Sequence, residues 1–116
     1  MNALWKPKSP ENSTMAEFMQ DINSKFNIEL LDYHELWHWS VDHHEEFWAH
    51  WWDYANLLAS KQPTETLIDN ESFEQSKWFP DAELNFAENL LRYRDKRNAI
   101  VFRDEDGNRR SISNNE

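Results

Sequence analysis

Phe47, Trp48, Trp51 and Trp52 lie within one six-residue stretch. On a helix, these positions together with Ala55 and Leu58 form one wide apolar face, and Glu45, Glu46, His50, Asp53 and Asn56 fall outside it or at its edge. Each large ring removes about 150–250 Å² from water when buried. A helix carrying four of them must therefore pack against more than one neighbour. Asp42 and Glu45 have capping-box spacing, so the helix is predicted over about residues 43–59.

The neighbours precede it. Thr14 and Glu17 have the same spacing, and Met15, Phe18, Met19, Ile22 and Phe26 form one apolar stripe, which predicts a core-facing helix over 15–25. Asp32 and Glu35 repeat the cap before a short helix carrying Tyr33, Leu36, Trp37 and Ser40, which stalls near Val41. Residues 1–12 are extended and proline-punctuated, with Leu4 and Trp5 as an anchor. Residues 60–77 are polar and aperiodic, a loop with one helical turn around Ser72–Gln75. Trp78, Phe79 and Pro80 close that loop. Asp81 can cap a fourth helix over 82–93, with Leu84, Ala87, Leu90 and Leu91 on one face.

Past residue 97 the period changes. Ala99–Arg103 is a strand run, Asp104–Asn108 a turn holding the only glycine, Gly107, and Arg109–Ile112 a return strand. Charge changes too: residues 92–110 hold seven basic side chains against four acidic, whereas residues 1–91 hold five against seventeen. The expected fold is mainly α, a small helical domain of about four helices over 1–97. A C-terminal β-hairpin at 98–116 begins a missing α/β domain, because a lone hairpin is marginal in water. Ser113–Glu116 has cap spacing with no helix behind it, and this ending reads as a fragment of a longer chain.

Several function classes are excluded. With no cysteine, disulfides, thiolate catalysis and Cys-bound metals are ruled out. One glycine leaves no phosphate-cradling loop. A net charge of −10 opposes nucleic acid or anionic membrane as partner, yet 15% aromatic residues mark a folded chain. No leader-like apolar segment or spanning stretch is present, which makes the cytoplasm the expected location.

His34-Glu35-Leu36-Trp37-His38 matches H-E-x-x-H, in which two imidazoles one helical turn apart bind zinc and the glutamate activates water. His44 stands where an extended pattern wants a third ligand. Against a zinc hydrolase, Val41 occupies the position that needs glycine, and no methionine lies downstream. Tyr33, Leu36, Trp37 and Trp39 also demand burial on the helix that must present the ligands. Adventitious metal binding by these histidines, or by His43, His44 and His50, carries no chemistry. Glu45 and Glu46 diverge as adjacent helical residues and cannot form a glycosidase pair. No residue is assigned a catalytic, cofactor-binding or metal-ligating role.

Several segments together carry a resemblance. These are Leu4-Trp5-x-Pro7, Met15-Ala16-x-Phe18, Tyr33-x-x-Leu36-x-x-Trp39-Ser40-Val41 with Glu45-Glu46-Phe47-Trp48, Trp78-Phe79-Pro80 with Leu84–Leu91, and Ala99–Phe102. In order and spacing they resemble the N-terminal segment of the acetoacetate-CoA ligases (acetoacetyl-CoA synthetases), in the acyl-CoA synthetase group of adenylate-forming enzymes. His44 departs from the proline common there. The resemblance implies a parent enzyme that activates acetoacetate with ATP and Mg²⁺ and passes the acyl group to CoA. It implies no catalytic residue or cofactor in this chain, whose role would be a structural cap on the missing adenylation domain of the same polypeptide, with subunit contacts in a homo-oligomer as a further role. The rival reading is a free-standing acidic helical protein-interaction module.

Overall fold

The computed structural model describes residues 7–70 and 72–115, so the expected Leu4-Trp5 anchor lies outside the described residues. Among these residues are four α-helices and two two-stranded antiparallel sheets, divided between two compact units that separate at Asn56/Leu57.

In the first unit a 3-10 turn, Pro10–Asn12, leads into α1, Thr14–Phe26. Ser13 caps it rather than Thr14. Its backbone is extended, its Oγ accepts the Ala16 N–H at 3.2 Å, and its hydroxyl donates to the Pro10 carbonyl at 2.6 Å. The turn thus places Ser13 in the non-helical geometry a cap needs, one residue before Thr14. Asn27, in the left-handed region at φ 53°, ends the helix. Asn23 then holds the exit loop through both amide atoms: Oδ1 accepts Leu30 N–H at 2.8 Å and Nδ2 donates to Leu30 O at 3.0 Å.

Helix α2 spans Tyr33–Asp42 with Asp32 as cap, whose Oδ1 accepts the N–H groups of His34 and Glu35 at 2.8 and 3.0 Å. The Glu35 carboxylate reaches back to the Leu31 N–H at 2.6 Å, closing the cap from the other side. Asp32→Ala is expected to cost about 1 kcal/mol, within the roughly 0.5–2 kcal/mol range for lost caps, read as a lower urea midpoint.

Asp42 does not cap the next helix. It is the last residue of α2, and α3, His44–Tyr54, begins after the single non-helical residue His43 (φ −125°, ψ 47°). His43 donates its N–H to Trp39 O and accepts from Phe47 N–H, so two helical ladders share one residue. There is no room for a separate cap. Helix α3 also stops short of the expected residue 59, because Asn56 turns into the left-handed region at φ 50° and donates to Asp53 O.

Phe18, Ile22 and Leu36 form the buried centre, with Met19, Phe26, Ile28, Leu30, Trp39 and Phe47 packed around them. As its aromatic load requires, α3 meets two neighbours: Phe47 lies edge-on to Phe18 of α1 at 5.7 Å and to Trp39 of α2 at 6.4 Å. Trp52 is buried, but Trp48 and Trp51 stay more than a third exposed. His50, expected outside the apolar face, is only 2% exposed. It fills the gap between α3 and α1, stacked on Phe18 at 5.4 Å and edge-on to Phe26 at 5.7 Å.

The second unit opens with a strand pair hidden in the aperiodic loop. β1, Leu67–Ile68, pairs antiparallel with β2, Lys77–Trp78, around a 3-10 turn at Phe73–Gln75, where one helical turn is expected. Asp81 caps no helix. Its carboxylate accepts the Thr64 N–H and, at 2.7 Å, the Thr64 hydroxyl, tying the start of the loop to its end; these hydrogen bonds hold its pKa below the ordinary carboxylate value. With Asp81 in a turn closed by the Ala82 N–H on Phe79 O, and Glu83 bridged to Lys61, the chain up to Leu84 is kept out of the helix. Helix α4 is therefore five residues, Phe86–Leu90, capped by Asn85, rather than 82–93.

β3, Asn98–Arg103, and β4, Arg109–Ser113, form the expected hairpin, with Ile100 opposite Ile112 and Val101 opposite Ser111. Gly107 sits at φ 84°, a conformation that costs glycine least. The Asp104 carboxylate clamps the turn on Asn108 N–H at 2.7 Å and on Asn108 Nδ2 at 2.8 Å. At the hairpin's open end Asp95 receives Arg97 Nε at 2.7 Å and Asn114 Nδ2 at 3.0 Å. The Arg97 guanidinium, followed by Asn114, holds the Asp95 carboxyl well below the usual carboxylate range.

Candidate functional site

The H-E-x-x-H segment occupies the first half of α2. His34 and His38 lie one turn apart with ring centroids at 4.6 Å and planes at 77°. Both are exposed. The residue that would activate water is engaged elsewhere, since the Glu35 carboxylate accepts the Leu31 N–H as part of the helix cap. His44, on the next helix, has Nδ1 at 3.4 Å from Val41 O. Among the described residues no three His, Asp or Glu side chains converge on a point that could hold a metal ion. Two imidazoles meet here without a third protein ligand.

Glu45 and Glu46 both lie exposed in the first turn of α3, where carboxylates favour the helix dipole. His43 Nδ1 stands 3.8 Å from Glu46 Oε1, and its ring stacks on Trp39.

His50 is the one buried titratable side chain among the described residues. Its Nε2 is 2.9 Å from Asp21 Oδ2, off the ring N–H axis, and Nδ1 has no hydrogen-bond partner among the described residues. Burial, helped by the Lys25 charge, lowers its pKa against the opposing pull of Asp21 and Asp53. Lys25 and Asp53 form an exposed ion pair at 3.4 Å beside it. The His50 ring is enclosed by Phe18, Phe26 and Tyr54, while the Asp21 side chain beside it is half exposed.

Apolar side chains are also presented to the surroundings, among the exposed charged ones. In the first unit a groove of about 390 Å³ runs between the three helices, walled by Met15, Phe18, Tyr33, Trp37, Trp51 and Tyr54. In the second unit Phe86 is 73% and Leu90 61% exposed, and Ile100, Val101 and Phe102 of β3 are all more than half exposed. Phe79, on the same stretch as Phe86, is half-buried with φ 47°.

Local spacing misses the polar side chains that fasten the second unit. Asn89 accepts the Leu58 N–H at 2.8 Å through Oδ1 and donates through Nδ2 to the carbonyls of Leu58 and Asn85. Its partner is 31 residues away, beyond any periodicity signal.

Three comparisons bear on this arrangement. The family model described as acetyl-coenzyme A synthetase N-terminus matches residues 33–90, from the first residue of α2 to the last of α4. The malonamoyl-CoA synthetase of Penicillium aethiopicum is 35% identical over 95% of the chain, covering 16% of its own length. The acetoacetyl-CoA synthetase of Danio rerio is 33% identical over 85% of the chain and 15% of its own length, and that of Rhizobium meliloti (strain 1021) 35% identical over 89% and 16%. The chain thus spans about a sixth of the length of these relatives. No solved structure matches it. No helix among the described residues is long and apolar enough to cross a membrane. A chain matched over half its length, from α2 through α4, belongs to the acetyl-coenzyme A synthetase N-terminus family.

Proposed function

We propose that this chain is the non-catalytic N-terminal region of an acetoacetate-CoA ligase-like enzyme, serving as a structural cap on an adenylation domain of the same polypeptide. In the parent reaction acetoacetate and ATP form an acyl-adenylate and pyrophosphate, and CoA then displaces AMP to give acetoacetyl-CoA. ATP, Mg²⁺ and CoA belong to the parent. The names of the relatives, acetoacetyl-CoA and malonamoyl-CoA synthetases, share one substrate chemistry, a short acyl group with a carbonyl at the β position, and the parent's acid is assigned to that class.

The observation that carries the reading is the exposure of Phe86 and Leu90 on α4 and of Ile100, Val101 and Phe102 on β3. Large apolar side chains left in water on two elements of one unit call for another body to cover them. On this reading residues 98–116 begin the adenylation domain with its first hairpin, and residues 1–97 are the cap. Subunit contacts in a homo-oligomer are a second use of the same surfaces.

The purified chain is expected to give no ATP–pyrophosphate exchange with acetoacetate, while a protein continuing through the adenylation domain gives it. Exchange by the chain alone would overturn the cap role. The rival reading, a free-standing acidic interaction module, draws on the aromatic groove of the first unit. Reading the coding sequence beyond Glu116 separates the two: a stop codon favours the module, a long open frame the ligase.

A further inference from the structure

We propose that His34 and His38 form a two-imidazole site for a divalent transition metal, with Cu(II) held more tightly than Ni(II) or Zn(II). The inference is independent of the ligase reading and rests on the geometry of α2.

Of the five histidines, three are engaged with other groups and two face each other. His50 is buried against Asp21, His43 stacks on Trp39, and His44 approaches the Val41 carbonyl. His34 and His38 face each other across one turn, both exposed, with centroids at 4.6 Å. With metal–nitrogen bonds of about 2.0–2.1 Å and a cis angle between square and tetrahedral, two coordinated rings have centroids roughly 4.5–5.2 Å apart. The rings are therefore at a separation that a shared metal allows, and in the proposed site they turn about their Cβ–Cγ bonds from the edge-on contact to bring one nitrogen of each to the ion.

The backbone beneath them is fixed. Asp32 and Glu35 cap the first turn of α2, and Leu36, between the two histidines in sequence, is buried in the core. The pair is thus preorganised, which reduces the ordering cost of binding. Imidazole suits copper, nickel and zinc, and the usual stability order places Cu(II) first. Glu35 is held by Leu31, so water or small external ligands complete the coordination. The site binds a metal without the positioned base that hydrolysis needs.

Binding to the folded helix alone also stabilises it by mass action. Trp37, whose ring lies 5.8 Å from His34 and 4.6 Å from His38, is placed to report occupancy. A paramagnetic Cu(II) ion at the pair should quench its emission.

The test uses the full chain without an affinity tag, stripped with chelator and titrated with Cu(II), then Zn(II), at neutral pH by calorimetry and Trp emission. One equivalent is expected, with affinity at least tenfold weaker in His34→Gln and in His38→Gln and unchanged in the His43→Gln/His44→Gln double variant. Circular dichroism confirms that the variants, changed only at exposed positions, remain helical. Nitrogen couplings from two imidazoles in the Cu(II) spin-resonance spectrum are the second readout. The proposal is overturned if His34→Gln and His38→Gln bind like the parent chain, as with a terminal-amine site, if affinity falls only in the His43/His44 variant, or if no stoichiometric binding occurs.

Discussion

Replacing Ile22 with alanine is expected to unfold the first unit or bring it to the edge of unfolding. Ile22 is fully buried, at the centre of the Phe18–Ile22–Leu36 core. Truncating such a side chain costs about 2–5 kcal/mol, the lost transfer energy plus the cavity left behind. Domains carry only roughly 0.05–0.15 kcal/mol of stability per residue, so a unit ending at Asn56 holds a few kcal/mol in all. The loss should appear as collapsed near-ultraviolet dichroism from the packed tryptophans and a urea midpoint near zero. Ile22→Val, at about 0.5–1.5 kcal/mol, should retain both signals with a shifted midpoint. If Ile22→Ala behaves like Ile22→Val, the first unit is not held by this core.

The second large effect concerns acid. His50 is buried with its pKa lowered, chiefly by burial and then by Lys25, so the folded chain keeps the ring neutral at a pH where the unfolded chain protonates it. The unfolded state then binds more protons, and stability falls as pH falls. The contribution is complete above the ordinary imidazole value of about 6.5 and is lost progressively from there down through the lower folded-state value. Asp21 at 2.9 Å, with Asp53 and Lys25 close by, are the charges that face the ring. Acid also relieves repulsion among the excess carboxylates, which works in the opposite direction. The informative quantity is therefore the difference between parent and His50→Leu. Below about pH 6.5 the parent should lose stability more steeply than the variant in urea titrations at matched ionic strength. Parallel slopes would mean that folding leaves the ring's pKa unchanged, and a shallower fall in the parent would mean that Asp21 keeps the ring protonated in the fold.

The helices that rest on long apolar stripes were legible from residue types alone. The Met15–Phe26 stripe and the Asp32 cap locate α1 and α2 to within a residue or two, because periodic burial and a cap act within one or two turns. Elements decided by distant partners were not. Asp81 has the composition of a cap, but Thr64, seventeen residues away, takes its carboxylate, and the predicted helix over 82–93 shrinks to five residues. The β1–β2 pair, two residues per strand, is too short for any alternation to register. His50 reads as polar and edge-lying, and only the approach of Phe18 and Asp21 from α1 makes its burial tolerable.

The H-E-x-x-H segment shows two signals competing for the same atoms. Glu35 is both the motif's glutamate and the third residue after the Asp32 cap. In the fold its carboxylate closes on Leu31, and the capping role wins because the backbone N–H groups of a helix start need an acceptor. Spacing could report both roles but not rank them.

The corner at His43 makes the chain a ruler with no slack. Each residue added to a helix rotates everything beyond it by about 100°. Because one residue alone joins α2 to α3, an insertion or deletion there would swing Phe47 away from Phe18 and Trp39 and turn His50 out toward water. Length changes across related genes should therefore avoid the Trp39–Phe47 interval and collect instead between Asp69 and Ser76, where the connection bridges two short strands. A library of single-codon insertions scored for soluble expression would chart that contrast residue by residue.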